Sequence, residues 1–261
     1  MSARLAPPSL VELWLHPVKS LSGGRTERAR VGPRGIEGDR EFALVDAEGV
    51  VQTAKHLPEL LRLRARHVEG GALELALDGV GAVVVAEPRE RGGRITTSLH
   101  RREVEAERVG DAGLEAFLRD ALRALEVSAP CGPLSLARSS SGFFDARPLS
   151  LHSRATAVAL DALAPGLSDS RRYRSNLVVD GCAERAEEHW PALEADGLVL
   201  CNLETIRRCS MTTVAPEDGS RGPEPLRELS RGRVAPRLGV YFLPTAEGEL
   251  REGMSLRPTR P

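Results

Sequence analysis

The feature that most restricts the fold of this chain is the missing helical period in its first hundred residues. Before residue 110, apolar residues come in short runs cut by glycine and proline. That is the pattern of strands joined by tight turns, not of amphipathic helices. Residues 10–15 suit a strand closed by His16-Pro17. Residues 41–46 and 50–53 flank Ala47-Glu48-Gly49, and residues 66–69 and 72–77 flank Gly70-Gly71. Both pairs read as hairpins with glycine at the positive-φ position. Residues 82–86 and 104–109 add strands, so this half is expected to be a β-barrel or sandwich.

A helix then intervenes. Leu114, Phe117, Leu118, Ala121, Leu122 and Leu125 share one helical face, with Asp111 placed to cap it. Residues 138–142 read as a polar loop. Ser153 is expected to cap a second helix reaching residue 163, stopped by Pro165-Gly166. Residues 177–179 and 198–206 return to strands. Residues 215–237 read as a long loop with one short helix at 226–229. The expected class is mainly β with some helices, an α+β chain.

Composition excludes several functions. With 261 residues, 41% apolar and 28% charged, the chain is an ordinary globular protein with a sizeable core. Lys plus Arg number 36 against 37 Asp plus Glu, so a net charge of −1 removes the footprint of a non-specific nucleic-acid binder. Four cysteines in such a length do not make a disulfide scaffold. The N-terminus lacks the apolar stretch of a secretory signal, and no apolar run approaches the roughly 20 residues of a membrane span. The chain is expected to be a cytoplasmic monomer with neither a nucleic-acid nor a membrane partner.

Four segments mix fixed positive charge with small polar groups: residues 17–20, 38–42, 172–176 and 207–214. Arginine forks and lysine point charges converging in a cleft suit an anionic cofactor, although any one of these arginines also reads as a solvated surface cation. In the last segment two arginines precede Cys209, and Ser210, Thr212 and Thr213 follow it. Adjacent cations favour the thiolate, which is both a nucleophile and a soft-metal ligand; the plainer alternative is an inert cysteine at a strand end. Cys131, Cys182 and Cys201 have weaker contexts, and no pair has C-x-x-C spacing. The six histidines form no metal set, and there is neither a dinucleotide fingerprint nor a Walker loop.

Taken in order, His16 to Ser20, Gly38-Asp39-Arg40 before Phe42, Val45 to Gly49 and Leu57-Pro58 carry one family pattern. Phe144-Asp145, Pro148, Ser153, Arg172 to Asn176, Glu187 to Trp190, Arg208-Cys209, Thr212 to Val214 and Gly239 to Tyr241 continue it. The chain resembles the MOSC-domain family, named for the C-terminal domain of the molybdenum-cofactor sulfurase. Within it the chain is most similar to the two-part group of amidoxime-reducing components and their bacterial relatives. The resemblance implies a MOSC N-terminal β-barrel domain over 1–125 and a MOSC β-barrel domain over 126–261. It implies a molybdenum cofactor (Mo-molybdopterin) with Cys209 as the catalytic thiolate ligand of the metal. Lys19, Ser20, Arg40, Ser153, Arg174, Asn176, Arg208 and Tyr241 are then expected to hold the pterin and its phosphate. Ser175 stands where the family usually has Pro, and Lys55 where Arg is common; both are expected to reshape the rim slightly. Ala215-Pro216 and Glu252-Gly253-Met254 also depart from the family, in loops where little cost is expected.

The activity implied is reduction of N-hydroxylated small molecules, with electrons from a separate ferredoxin-like, flavin or haem protein docking near Arg171, Arg172 and Arg174. A second reading makes the chain a sulfur carrier, or a cofactor-binding module, with a persulfide on Cys209. A third is a cofactor-free β-barrel interaction protein. Pyridoxal phosphate, mentioned for the family, belongs to a fused sulfurase domain.

Overall fold

The structure, a computed structural model, describes residues 6–86, 90–127, 132–163, 165–222, 225–230 and 236–259. Cys131 lies outside the described residues. The β rhythm of the first half becomes short strands, and the Gly70-Gly71 hairpin forms as expected. Arg64–His67 pairs antiparallel with Leu73–Leu77, which also pairs with Gly81–Val85. At Gly49 only one arm is a strand, Phe42–Val45; on the other side Val51 and Val50 make single bridges to Val45 and Ser98. That arm divides its hydrogen bonds, Val51 N going to Ser98 O and Gln52 N to Leu44 O.

The largest sheet has eight strands. In spatial order they are Arg257–Pro258, Ala192–Ala195, Leu198–Arg207, Arg237–Pro244, Leu149–Ser153, Leu177–Asp180, Ser9–Leu15 and Gly24–Arg25. The first long strand of the chain therefore lies among strands from the second half. In return Ser135–Arg138 joins Phe42–Val45, Arg102–Val109 and Glu90–Leu99 in a four-stranded sheet. A three-stranded sheet of Gly248–Arg251, Arg28–Gly32 and Gly35–Ile36 again mixes the two ends. Among the described residues the architecture is mainly β with three α-helices, an α+β fold. Among the described residues the expected barrels do not close as continuous ladders. Isolated bridges, Val18 to Phe42, Ser22 to Arg64 and Ser9 to Ser255, stitch the sheets instead.

Helix α1, Ala112–Ala124, is capped by Asp111, whose carboxylate accepts from Leu114 N at 2.9 Å. It buries Leu114, Phe117, Leu118, Ala121 and Leu122 in a core shared with Leu60, Leu73 and Leu75. Helix α2, Arg154–Asp161, starts where strand Leu149–Ser153 ends, with the Ser153 hydroxyl accepting from Thr156 N at 3.2 Å. It connects that strand to its parallel neighbour Leu177–Asp180, since parallel strands need a crossover. Helix α3, Pro225–Ser230, matches the short helix expected in the long loop and buries Leu229. Among the described residues no helix is long and apolar enough to cross a membrane.

Candidate functional site

The strand exchange explains how distant segments meet. Ser9–Leu15 runs antiparallel to Leu177–Asp180, with Leu13 opposite Leu177 and Trp14 N bonded to Asn176 O at 2.7 Å. The residues just after the first strand, 16–20, and just before the second, 172–176, therefore emerge at the same end of the pair. Arg40 is brought there by its N–H to His16 O, at 2.7 Å, and Lys19 by its N–H to Phe42 O, also at 2.7 Å. Strand Leu198–Arg207 delivers Arg208 and Cys209, and Tyr241 lies beside it, opposite Glu204 and Ser150.

The result is a cleft of about 620 Å³ lined by Lys19, Ser20, Arg40, Arg174, Arg208, Cys209 and Tyr241. That volume lies in the range of small-molecule and cofactor sites. Among the described residues the lining holds nine lysine and arginine side chains against two carboxylates, Asp145 and Glu204, in a chain whose net charge is −1. The cationic surplus is thus local, and it selects anions. A second concavity, about 780 Å³, is bounded by Glu194–Val199 and Arg251–Met254 and gathers no cysteine, lysine or histidine.

Two of the expected binders do not face this cleft. Asn176 is buried behind it: its amide donates to Asp39 at 3.0 Å and Trp14 O at 3.3 Å, and its carbonyl accepts from the Ser150 hydroxyl at 3.1 Å. Asn176 thereby holds Asp39, which is the partner of Arg40. Ser153 is fully buried as the cap of α2 and also donates its N–H to Glu187 at 3.1 Å. Both shape the frame, not the lining.

The inner cations differ in what they can offer. Arg208 spends its fork on the protein: Nη1 donates to Tyr173 O at 2.6 Å, Nε to Leu238 O at 2.9 Å and Nη2 to the Ser175 hydroxyl at 3.2 Å. Its guanidinium also lies 5.6 Å from the Tyr173 ring centroid. All these acceptors are neutral, so Arg208 contributes charge more than open N–H groups. Ser175, where the family has proline, supplies one of them. Among the described residues Arg174 makes a single side-chain bond, Nη1 to Leu21 O at 2.8 Å. Burial, then the Arg40 charge, pushes Arg174 down to about 9, and burial brings Arg208 to about 10. Both stay charged at neutral pH. Behind the cleft, burial and nearby arginines hold His16 and His152 neutral, His152 at about 3.

Ser20, Arg40 and Arg174 all have positive φ, at 67°, 52° and 50°. Each such non-glycine residue costs on the order of 1–3 kcal/mol, a strain that clusters where function fixes the backbone. Cys209 is exposed at the cleft, and its Sγ has no hydrogen bond among the described residues. Cys201 is half-buried, and burial pushes the Cys182 thiol up to about 11, so neither rivals Cys209.

Of the three arginines expected to form a docking patch, Arg171 is exposed, Arg172 is buried and Arg174 lines the cleft. Arg171 is paired with Asp169 and Glu217, Arg172 is 9% exposed with Nε bonded to Gly166 O, and Arg174 points inward. At the mouth of the cleft, Lys55 and Arg207 have no carboxylate within ion-pair distance among the described residues. Sequence reasoning missed the cleft positions of His100, Arg147 and Arg237, which sit in unremarkable stretches and are brought in by tertiary contacts. The Glu252 departure is not idle either, because its carboxylate accepts from Leu13 N at 3.0 Å and pairs with Arg25.

Residues 8–124 match the MOSC N-terminal beta barrel domain, and residues 138–257 match the MOSC domain. The chain belongs to the MOSC family. This MOSC chain is 27% identical over 250 residues to a molybdenum cofactor sulfurase of Drosophila grimshawi, covering 90% of itself but 32% of that protein. It is 23% identical over 274 residues to mitochondrial amidoxime-reducing component 1 of Homo sapiens, covering 94% of itself and 81% of that protein. The MOSC chain thus spans about a third of the sulfurase and most of the amidoxime-reducing component. The YUAD protein of Bacillus subtilis overlaps 95% of the chain and 93% of its own length, with a TM-score of 0.42 at 10% identity.

Proposed function

We propose that this protein is a molybdenum-cofactor-dependent oxidoreductase that reduces N-hydroxylated compounds such as hydroxylamines, amidoximes or N-hydroxylated bases. The observation that carries the reading is an exposed thiol, Cys209, opening on a cleft with nine cations. A molybdopterin needs a soft protein ligand for the metal and positive charge for its phosphate, and this lining fits both needs. Among the described residues no three His, Cys, Asp or Glu side chains cluster as a metal cage. The protein's share of the coordination would then be the Cys209 sulfur.

When bound, the cofactor would supply the two-electron exchange that removes the hydroxyl oxygen as water. The chain's residues do the rest. Cys209 would ligate the metal, while Lys19, Ser20, Arg40 and Arg174 hold the pterin and phosphate and Arg208 adds field from behind. Burial raises the Tyr241 phenol, so it remains protonated at neutral pH and can donate a hydrogen bond to an N–OH oxygen. The second reading, a sulfur carrier with a Cys209 persulfide, rests on the exposure of the same thiol.

The sequence carries no dinucleotide fingerprint, so the electrons would come from a separate ferredoxin-like, flavin or haem protein. Lys55 and Arg207 at the mouth would favour an acidic face on that donor, in a salt-sensitive encounter. Steady-state assays with a benzamidoxime-like substrate test this. Turnover is expected with reduced viologen, or with NADH plus an added reductase chain, and not with NADH alone. Robust turnover from NADH alone would contradict the electron route, and no turnover from viologen by molybdenum-loaded protein would contradict the reductase.

A further inference from the structure

The Lys19 ammonium lies 2.6 Å from Oδ1 of Asp145, and the same oxygen is 2.9 Å from Nε2 of His100. Lys19 is nearly enclosed, its side chain 7% exposed, whereas Asp145 and His100 are 55% and 45% exposed. Lys19 and His100 thus share one carboxylate oxygen, and all three side chains line the cleft. His100 is placed by the turn between strands Glu90–Leu99 and Arg102–Val109, where it and Arg101 both take positive φ. An ionised carboxylate only accepts hydrogen bonds, so Nε2 of His100 must be the donor, which aims the oxygen at Lys19.

The lysines themselves are unusual. Among 36 basic residues the chain has only two, Lys19 and Lys55, and both line the cleft. Unlike a guanidinium, an ammonium is a compact charge that burial can discharge. Burial lowers the Lys19 pKa, and the Arg40 and Arg174 charges push the same way; Asp145 opposes them. Asp145 in turn is held well below the usual carboxylate range: burial would raise it, but the His100 hydrogen bond and the Lys19 charge prevail.

We propose that Asp145 and His100 are positioning residues that keep the Lys19 ammonium charged and aimed into the cleft, so that this chain of three side chains sets how firmly the cleft holds a phosphate. The groups facing Lys19 are Asp145, Arg40 and Arg174, with His100 acting through Asp145. The inference shares with the proposed function the premise that the cleft takes an anion, but not the metal chemistry. It is therefore tested on molybdenum-free protein, where its failure cannot be confused with failure of the reductase reading.

The test pairs two readouts, the Lys19 ε-carbon NMR titration and calorimetric binding of inorganic phosphate. With two lysines there are two signals, assigned with Lys55→Arg. Asp145→Asn should lower the Lys19 midpoint by about one pH unit or more, equivalent to roughly tenfold in proton affinity. His100→Ala should lower it in the same direction by less, and His100→Gln, which keeps an N–H donor, should stay nearest the parent. Between pH 6.5 and 9, Asp145→Asn should lose about tenfold more phosphate affinity than the parent. That sign is diagnostic, because removing a carboxylate from an anion site should by itself tighten binding at every pH. A Lys19 midpoint unmoved in both Asp145→Asn and His100→Ala, or phosphate bound at least as tightly by Asp145→Asn throughout, would overturn the proposal.

Discussion

Cys209→Ser is expected to abolish reduction of benzamidoxime-like substrates, with a loss of at least about a hundredfold. Even outer-shell partners of a bound metal are worth roughly 10–100-fold, and a thiolate replaced by a harder, protonated hydroxyl is a larger change. The exposure of Cys209 means that the substitution removes no packing, so the fold should be unaffected. Equivalent changes at Cys182 and Cys201 should leave activity largely intact, since neither lines the cleft. The check is kcat/KM with reduced viologen alongside a thermal melt. Full activity in Cys209→Ser would remove the thiolate from the account.

Arg40→Ala should damage both cofactor retention and the fold. The Asp39 side chain is fully buried and its cationic partner is Arg40, itself only 12% exposed. Removing one partner of a buried pair typically costs about 3–5 kcal/mol, more than the roughly 1.5–3 kcal/mol of a charge-assisted contact to a ligand. The Asp39 carboxylate would keep its bonds from His16 N at 2.7 Å and from Asn176 at 3.0 Å, which favours the lower end of that cost. Arg62→Ala, at an exposed position outside the cleft, should be near neutral. Urea unfolding of the two variants tests this, and coincident midpoints would show that Arg40 is not tied to Asp39 energetically.

Much of this organisation was legible in the sequence because it is local. The apolar face from Leu114 to Leu122 and the cap at Asp111 gave α1, and Ser153 before Arg154 gave the start of α2. The segments around Lys19, Arg40, Arg174 and Cys209 were legible as a set through the family resemblance, and strand pairing brings them to one cleft. What was not legible depends on register and burial. Asn176 and Ser153 were expected to hold the pterin, but the antiparallel pairing at Leu177 and the start of α2 turn them inward. Asp145 meets Lys19 only through a tertiary contact, which no periodicity encodes. Arg171 and Arg172 read as a basic patch, yet Asp169, Glu217 and the Gly166 carbonyl consume them. Barrel closure was equally illegible, because among the described residues single bridges replace ladders where the chain passes between sheets.

The central claim, that this cleft carries a molybdenum cofactor ligated through Cys209, is tested most directly by metal and pterin analysis of protein produced with molybdate. The account predicts a molybdenum atom in each chain, together with a fluorescent oxidised pterin, both lost in Cys209→Ser. Metal-free protein bearing labile sulfur on Cys209 would contradict it and identify the chain as a sulfur carrier.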